Sequence, residues 1–135
     1  LEDVSLVVRP GEIVGISGLL GSGRTELALA LFGMRPSYRG TIRIDGREVR
    51  LGSVPAAITH GIAYVPEDRL TEGLFLPETI NRNIIATSLG RLSRFGILRE
   101  GPAAEAAART IREMAIATPT GERPVMQLSG GNAQR

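Results

Sequence analysis

Apolar positions in the first half of the chain are spaced in the manner of short strands. Residues 4–8 alternate between core-type and solvent-type positions and end at a Pro-Gly turn, which predicts a half-buried strand. The β-branched run Ile13–Ile16 predicts a buried parallel strand, and Ile62–Val65 predicts another strand that Pro66 ends. Between them, Ile42 to Val49 surround an Asp-Gly pair, the strongest hairpin signal in the chain.

Helical patterns alternate with these strands. A helix is predicted from Thr25, with Gly33 placed to end it, and a short helix over Ser53–Gly61 has a Ser N-cap and a Gly stop. This order predicts an α/β first half.

The second half of the chain has a different pattern of predicted elements. Glu67–Leu76 is predicted to be a polar loop, Glu78–Ser88 a helix and Gly90–Gly101 a loop. Pro102 is expected to start a helix that runs to about Thr118. The residues expected on its apolar face are Ala104, Ala108, Ile111 and Ala115. The second half is therefore predicted to be mostly helical.

Composition excludes several classes of protein. The 135 residues include no Cys, which rules out a disulfide scaffold and Cys-based metal sites. No apolar stretch approaches the roughly 20 residues of a membrane span. A net charge of +2 is too small to indicate nucleic-acid binding by itself. All 16 basic residues other than the single His are Arg, a bias typical of codon composition.

A glycine-rich loop carries the first candidate chemistry. It fits the phosphate-binding pattern G-x-x-x-x-G-K-[ST] at every fixed position but one, between a predicted strand and a predicted helix. Glycines let backbone N–H groups converge on phosphate oxygens, and the hydroxyl of Thr25 is placed to coordinate Mg²⁺. The candidate nucleotide-binding residues of this loop are Gly18, Gly21, Ser22, Gly23, Arg24, Thr25 and Glu26.

Arg24 stands where the pattern has Lys. Its planar guanidinium is larger than an ammonium group, which predicts a site that binds nucleotide but hydrolyses it poorly. A purely structural turn is the alternative. A dinucleotide-binding fingerprint fits less well, because its third glycine would fall at Glu26.

A second motif lies about 105 residues further on. Leu128–Gln134 closely resembles the LSGGQ signature of ATP-binding-cassette (ABC) ATPases, and Gly40–Gly46 resembles their antiparallel hairpin. Glu67 occupies the position of the Q-loop glutamine. Arg24, Glu67-Asp68-Arg69 and Asn132 together resemble the second cassette of tandem ATPases in bacterial monosaccharide importers of the ribose, galactose and xylose type.

The resemblance implies a P-loop NTPase core over residues 1–69 and a helical subdomain over residues 70–135, together a partial nucleotide-binding domain. It implies ATP and Mg²⁺ as cofactors, with Thr25 and Glu67 near the metal. The nucleotide-binding residues of the signature would be Ser129, Gly130, Gly131 and Asn132, which would cap ATP held by an opposing cassette. The expected partners are that cassette, in the same chain or a dimer, and a transmembrane sugar permease at the cytoplasmic face of the inner membrane; no nucleic acid is expected.

The sequence also allows other interpretations of the function of this chain. The resemblance also fits a non-transport ABC ATPase that clamps a ribosome or nucleic acid, or a pseudo-cassette that binds no nucleotide. Glu67 is either the Q-loop residue or a solvated carboxylate that pairs with Arg69.

Catalytic residues are not found in the sequence. No apolar run ends in Asp-Glu as a Walker B segment does, and His60 is expected to be a helix-end residue rather than the switch histidine. The chain is therefore interpreted as a fragment of a transport ATPase that hydrolyses no ATP by itself.

Overall fold

The backbone, described by a computed structural model at residues 3–35 and 38–134, falls into two units, Leu1–Tyr64 and Val65–Arg135. The elements of the first unit are α1 (Arg24–Leu31), β1 (Ile42–Ile44), β2 (Arg47–Val49) and α2 (Val54–Thr59). Those of the second are α3 (Ile80–Ile85), α4 (Leu89–Leu92), β3 (Ser93–Arg94), β4 (Ile97–Leu98), α5 (Glu100–Glu113) and α6 (Gly130–Ala133). None of the helices in the described ranges is both long and apolar enough to cross a bilayer.

Turn and cap signals in the first unit produced the predicted hairpin and the predicted short helix. Strands β1 and β2 pair antiparallel, with Ile42 opposite Val49. Asp45 and Gly46 have φ values of 51° and 74°, the positive pair that a tight two-residue hairpin turn requires. At α2 the hydroxyl of Ser53 accepts a hydrogen bond from the Ala56 N–H, which confirms the predicted N-cap.

The core of the first unit is small. Leu51 and Ala57 are completely buried, and the rings of Phe32 and Tyr64 lie 5.6 Å apart, centroid to centroid. Gly33 is also buried and ends α1 with a φ of 77°, as predicted for a helix stop. Its hydrogen atoms face the backbone of Ser53, so α1 and α2 meet where no side chain fits.

The three strands predicted from apolar runs are wrong for this structure. Residues 4–8, Ile13–Ile16 and Ile62–Val65 are not in strands, and the side chain of Ile13 is 98% exposed. A buried parallel strand exists only when neighbouring strands satisfy its N–H and C=O groups. Within the described ranges the only sheets are two isolated hairpins, and neither pairs with these segments.

The second unit is built around α3 and α5. A hydrophobic cluster in this unit consists of Ile85 from α3 with Ala103 and Ala107 from α5. The side chains packed against this cluster are Ile84, Leu92 and Leu98. The predicted helix over Glu78–Ser88 is confirmed as α3, capped by Thr79 and continued by a 3₁₀ turn over Ala86–Ser88.

Two predictions for the second unit need correction. The predicted loop Gly90–Gly101 contains the end of α4 and the hairpin β3–β4, whose turn places Phe95 and Gly96 at φ values of 53° and 78°. The sequence pattern does not predict this turn, because aromatic residues such as Phe95 rarely take positive φ.

Helix α5 is also shorter than predicted and presents another face to the core. It begins at Glu100, with Pro102 inside its first turn, and ends at Glu113. It stops because Ala115 takes a φ of 49°, which lets the Ile116 N–H close back on the Ile111 carbonyl at 2.9 Å. The predicted face fails because Ala104 and Ala108 are exposed.

Candidate functional site

The glycine-rich loop turns tightly into α1. The N–H of Ser22 donates to the Leu19 carbonyl at 3.0 Å, and Gly21 and Gly23 have φ values of 80° and 90°. Such values strain any residue with a Cβ atom, so both positions require glycine. A Cβ atom at Gly18 would lie 2.5 Å from the Ser22 Oγ, so a larger residue at this position would require the Ser22 side chain to move.

The first turn of α1 leaves hydrogen-bond donors free. The N–H of Leu27 makes the first intrahelical bond, to the Gly23 carbonyl at 3.0 Å, so the three preceding N–H groups have no intrahelical acceptor. The side chains of Arg24 and Thr25 are exposed and have no hydrogen bond or ion pair within the described ranges. Free N–H groups, a cation, a hydroxyl and the positive end of a helix suit a phosphate group.

The Glu-Asp-Arg segment lies in the second unit. Glu67 is exposed, and the ion pair with Arg69 that the sequence allowed is absent from the described residues. The guanidinium of Arg69 instead lies beside the signature, its Nη2 3.5 Å from the position of a Cβ atom at Gly130. The Arg69 Nε is buried without a hydrogen-bond partner among the described residues. No sequence pattern predicted that Arg69 would approach Gly130.

Asp68 has a structural role. Its carboxylate accepts hydrogen bonds from the N–H groups of Leu70 and Thr71, at 3.0 and 3.3 Å, and so caps a π-helical turn over Arg69–Gly73. Hydrogen bonds lower the pKa of this carboxyl below its ordinary value; the largest effect comes from Thr71 and the next largest from Leu70. The cap is therefore fully stabilising above the ordinary aspartate pKa and weakens as the pH falls through the lowered one.

The signature is tied to α3 by backbone hydrogen bonds. The N–H of Ile80 donates to the Arg123 carbonyl at 3.0 Å, and the N–H of Val125 donates to the Glu78 carbonyl at 2.9 Å. Val125 is 4% exposed and anchors the 3₁₀ turn Val125–Gln127 that leads into the motif. Ser129 then precedes α6, as predicted for a signature followed by a helix.

Asn132 forms a second tie. Its Oδ1 accepts from the Ala117 N–H and its Nδ2 donates to the Ser129 Oγ, both at 3.1 Å. The predicted ligand Asn132 therefore makes two hydrogen bonds within the protein. A cavity of ≈ 220 Å³ lies at this point, lined by Ala117, Thr118, Pro119, Arg123, Pro124, Gln127, Leu128, Ser129 and Asn132.

Asn83 was missed by sequence reasoning. It lies inside α3, where Asn is an unfavourable helix residue, and that misfit was the available signal. Its Oδ1 accepts from the Phe75 N–H at 2.8 Å, and its Nδ2 donates to the Phe75 and Thr79 carbonyls. Asn83 thereby closes the loop that leads from the Glu-Asp-Arg segment into α3.

The predicted site residues fall into two groups. Gly18 to Glu26 belong to the first unit, and Glu67 and the signature belong to the second. The two predicted magnesium ligands, Thr25 and Glu67, are thus in different units. In the described ranges, no cluster of three or more His, Cys, Asp or Glu residues is placed to hold a metal ion.

Comparisons with known proteins agree on one family. A family model described as ABC transporter matches residues 1–135. A ribose import ATP-binding protein of Rubrobacter xylanophilus is 43% identical over 133 residues, which are 98% of this chain and 26% of the relative. A galactofuranose transporter ATP-binding protein of Escherichia coli is 43% identical over 130 residues, covering 96% of this chain and 26% of the relative.

A third relative extends the same pattern. A ribose import ATP-binding protein of Geobacillus kaustophilus is 41% identical over 134 residues, which are 99% of this chain and 27% of the relative. The chain thus spans about a quarter of the length of the relatives it matches. No solved structure matches it.

Proposed function

Since the chain belongs to the ABC transporter family, we propose that it forms part of the ATP-binding protein of a monosaccharide importer. The observation that carries this proposal is the identity of 41–43%, over nearly all of the chain, to proteins named for ribose import and galactofuranose transport. The proposed full-length protein is a transport ATPase at the cytoplasmic face of the inner membrane, where it binds a sugar permease.

The glycine-rich loop is the proposed ATP site. Its free N–H groups, the guanidinium of Arg24 and the hydroxyl of Thr25 fit a phosphate chain with its magnesium ion. Bound ATP supplies the phosphoanhydride bond whose hydrolysis drives transport. Glu67 is exposed and unpaired within the described ranges, and its carboxylate is proposed as a magnesium ligand.

The signature is proposed to serve an opposing cassette. Ser129 is exposed and makes no capping hydrogen bond to α6. The N–H of Ala133 makes the first bond of α6, to the Ser129 carbonyl, so the N–H groups of Gly130 and Gly131 have no intrahelical acceptor. These groups suit the γ-phosphate of ATP held by a second cassette packed head to tail. In the proposed tandem protein, this chain belongs to the second cassette, and the opposing cassette is the first.

The test is sugar uptake by proteoliposomes that contain the full-length protein and its permease. Uptake of labelled ribose or galactose is expected to require ATP and magnesium and to stop when a non-hydrolysable ATP analogue replaces ATP. The same protein is tested for sedimentation with ribosomes and nucleic acid. Sedimentation with either, together with no uptake of any monosaccharide, would contradict the proposal and support a nucleotide-driven clamp.

Arg24→Lys is expected to increase ATP turnover at this site. A lysine ammonium is compact enough to lie between β- and γ-phosphate oxygens, where the guanidinium takes more room. The expected increase in kcat is about 3- to 10-fold, equivalent to about 1 kcal/mol of transition-state stabilisation. ATPase activity is measured in full-length protein whose other P-loop has been inactivated, so that only this site contributes.

Arg24→Ala is the matched control for binding. It removes the cation and is expected to weaken binding of a fluorescent ATP analogue about 10-fold or more. Unchanged turnover in Arg24→Lys would show that arginine is not what limits hydrolysis here. Unchanged analogue binding in Arg24→Ala would favour a pseudo-cassette whose loop is structural.

A further inference from the structure

The carboxamide of Asn132 lies between two groups that the fold brings together from different segments. One is the backbone N–H of Ala117, in the loop after α5, which donates to the Oδ1 at 3.1 Å. The other is the hydroxyl of Ser129, whose Oγ lies 3.1 Å from the Nδ2. The two partners are 15 and 3 residues away along the chain.

Chemistry fixes which end of the carboxamide faces which partner. A backbone N–H can only donate, so Ala117 must face the oxygen of Asn132. The nitrogen then faces Ser129, and because an amide nitrogen donates and does not accept, the Ser129 Oγ must be the acceptor. A flipped carboxamide would place two donors against each other at Ala117. The hydrogen bond between Asn132 and Ser129 therefore has one possible direction.

This direction leaves the proton of Ser129 available. A serine hydroxyl has one proton and two acceptor positions, and Asn132 occupies one of the acceptor positions. The side chain of Ser129 makes no cap to α6 and has no other hydrogen bond within the described ranges. Phosphate oxygens only accept hydrogen bonds, so a serine that contacts them must donate. The hydroxyl is thus held in the polarity that a phosphate requires.

We propose that Asn132 is a positioning residue that holds the hydroxyl of Ser129 as a donor to the γ-phosphate of ATP on the opposing cassette. This inference rests on the proposed function of the signature. Asn132 acts through Ser129, and the bond to Ala117 sets the direction in which it acts. A merely structural Asn132 would only tie the loop after α5 to α6.

Asn132→Asp separates these two roles because it has nearly the same shape as Asn132. One carboxylate oxygen still accepts from the Ala117 N–H, so the structural tie remains. The other oxygen is an acceptor where Asn132 had a donor, so the hydroxyl of Ser129 must turn its proton towards Asp. The tie is kept and the polarity of the hydroxyl is reversed. Asn132→Ala removes both bonds.

The experiment measures kcat and KM for ATP hydrolysis by the full-length protein with its permease in proteoliposomes. Ser129→Ala is expected to lower kcat about 100-fold, a typical loss for one transition-state donor. Asn132→Asp and Asn132→Ala are each expected to lower kcat about 10-fold or more. Neither Asn132 variant is expected to lower kcat further when Ser129→Ala is already present, because no hydroxyl remains to be oriented.

Gln127→Glu is the matched control for added charge. Gln127 is exposed two residues before Ser129, and its Oε1 accepts from the Arg123 Nε at 2.9 Å, a bond that glutamate keeps. This control is expected to leave kcat within about 2-fold of the wild type, as exposed substitutions generally do. Melting temperatures of all variants separate loss of folding from loss of turnover.

Other results of these kcat measurements would contradict either the role of Asn132 or the role of the signature. Wild-type kcat in Asn132→Asp, with Ser129→Ala impaired, would overturn the role of Asn132 and leave the proposed function intact. An equal loss from Asn132→Asp with and without Ser129→Ala would show that charge, not orientation, is responsible. A similar loss in Gln127→Glu would also assign the effect to charge. Wild-type kcat in Ser129→Ala would contradict the proposed role of the signature itself.

Discussion

Replacing Ser129 by Arg in the full-length protein is expected to abolish ATP-driven sugar uptake. Ser129 is exposed at the start of α6, so the longer side chain is accommodated without disturbing the core of its unit. It removes the hydroxyl and fills the space in which the γ-phosphate of the opposing cassette is proposed to lie. The expected fall in uptake rate is at least 100-fold, since loss of one preorganised donor alone typically costs 10²–10³ in kcat.

The measurement is initial uptake of labelled sugar by proteoliposomes, with binding of a fluorescent ATP analogue measured on the same preparation. Analogue binding at the opposing P-loop is expected to persist, because a P-loop holds most of the phosphate contacts by itself. Ala104→Arg adds the same side chain at an exposed position of α5, outside the signature, and is expected to leave uptake nearly unchanged. Normal uptake in Ser129→Arg would show that the signature serves no hydrolytic site.

Gly33→Ala is expected to destabilise the first unit more than replacement of its other glycines by alanine. A Cβ atom at Gly33 would collide with the carbonyl carbon and oxygen of Ser53, which are backbone atoms of the N-cap of α2. Gly33 also has a φ of 77°, which is unfavourable for alanine. The collision and the backbone strain together are expected to cost about 3 kcal/mol, the range of large point-mutation effects.

Two other glycines separate these contributions. Gly61 has a φ of 80° but open space around its Cβ position, so Gly61→Ala is expected to cost only about 1 kcal/mol of backbone strain. Gly52 has neither feature, and Gly52→Ala is expected to be nearly neutral. Hydrogen exchange at the amides of α1 and α2 in the full-length protein gives the local opening free energies. Equal losses at Gly33 and Gly61 would contradict the backbone collision.

The local elements were predictable from short patterns. The hairpin with Asp45-Gly46 and the helix capped by Ser53 formed as expected, because the required φ values and cap acceptors belong to the residues themselves. The loop that ends at Thr25 likewise contains the glycines that its turn needs. In each case the determining interaction spans no more than a few residues.

The side of each helix that is buried, and the residues it packs against, were less predictable. In α5 the sequence offers alanines at neighbouring positions, and only the packing of Ile85 selects Ala103 and Ala107 over Ala104 and Ala108. Alanines at neighbouring positions are equivalent in a helical pattern, so the sequence did not distinguish the face through Ala103 and Ala107 from the face one residue further on. The same ambiguity does not affect α3, whose Ile80 and Ile85 are both buried.

Short sequence patterns were enough to locate the turns and helix caps of this protein, its glycine-rich loop and its signature. These features depend on glycine conformations and on hydrogen bonds between near neighbours. The folded structure was needed to show that Ile13–Ile16 is not a strand in the described chain, since a strand depends on partners from distant segments. It alone joined Asn132 to Ala117 and Ser129, because the direction of that hydrogen bond depends on a backbone donor 15 residues away.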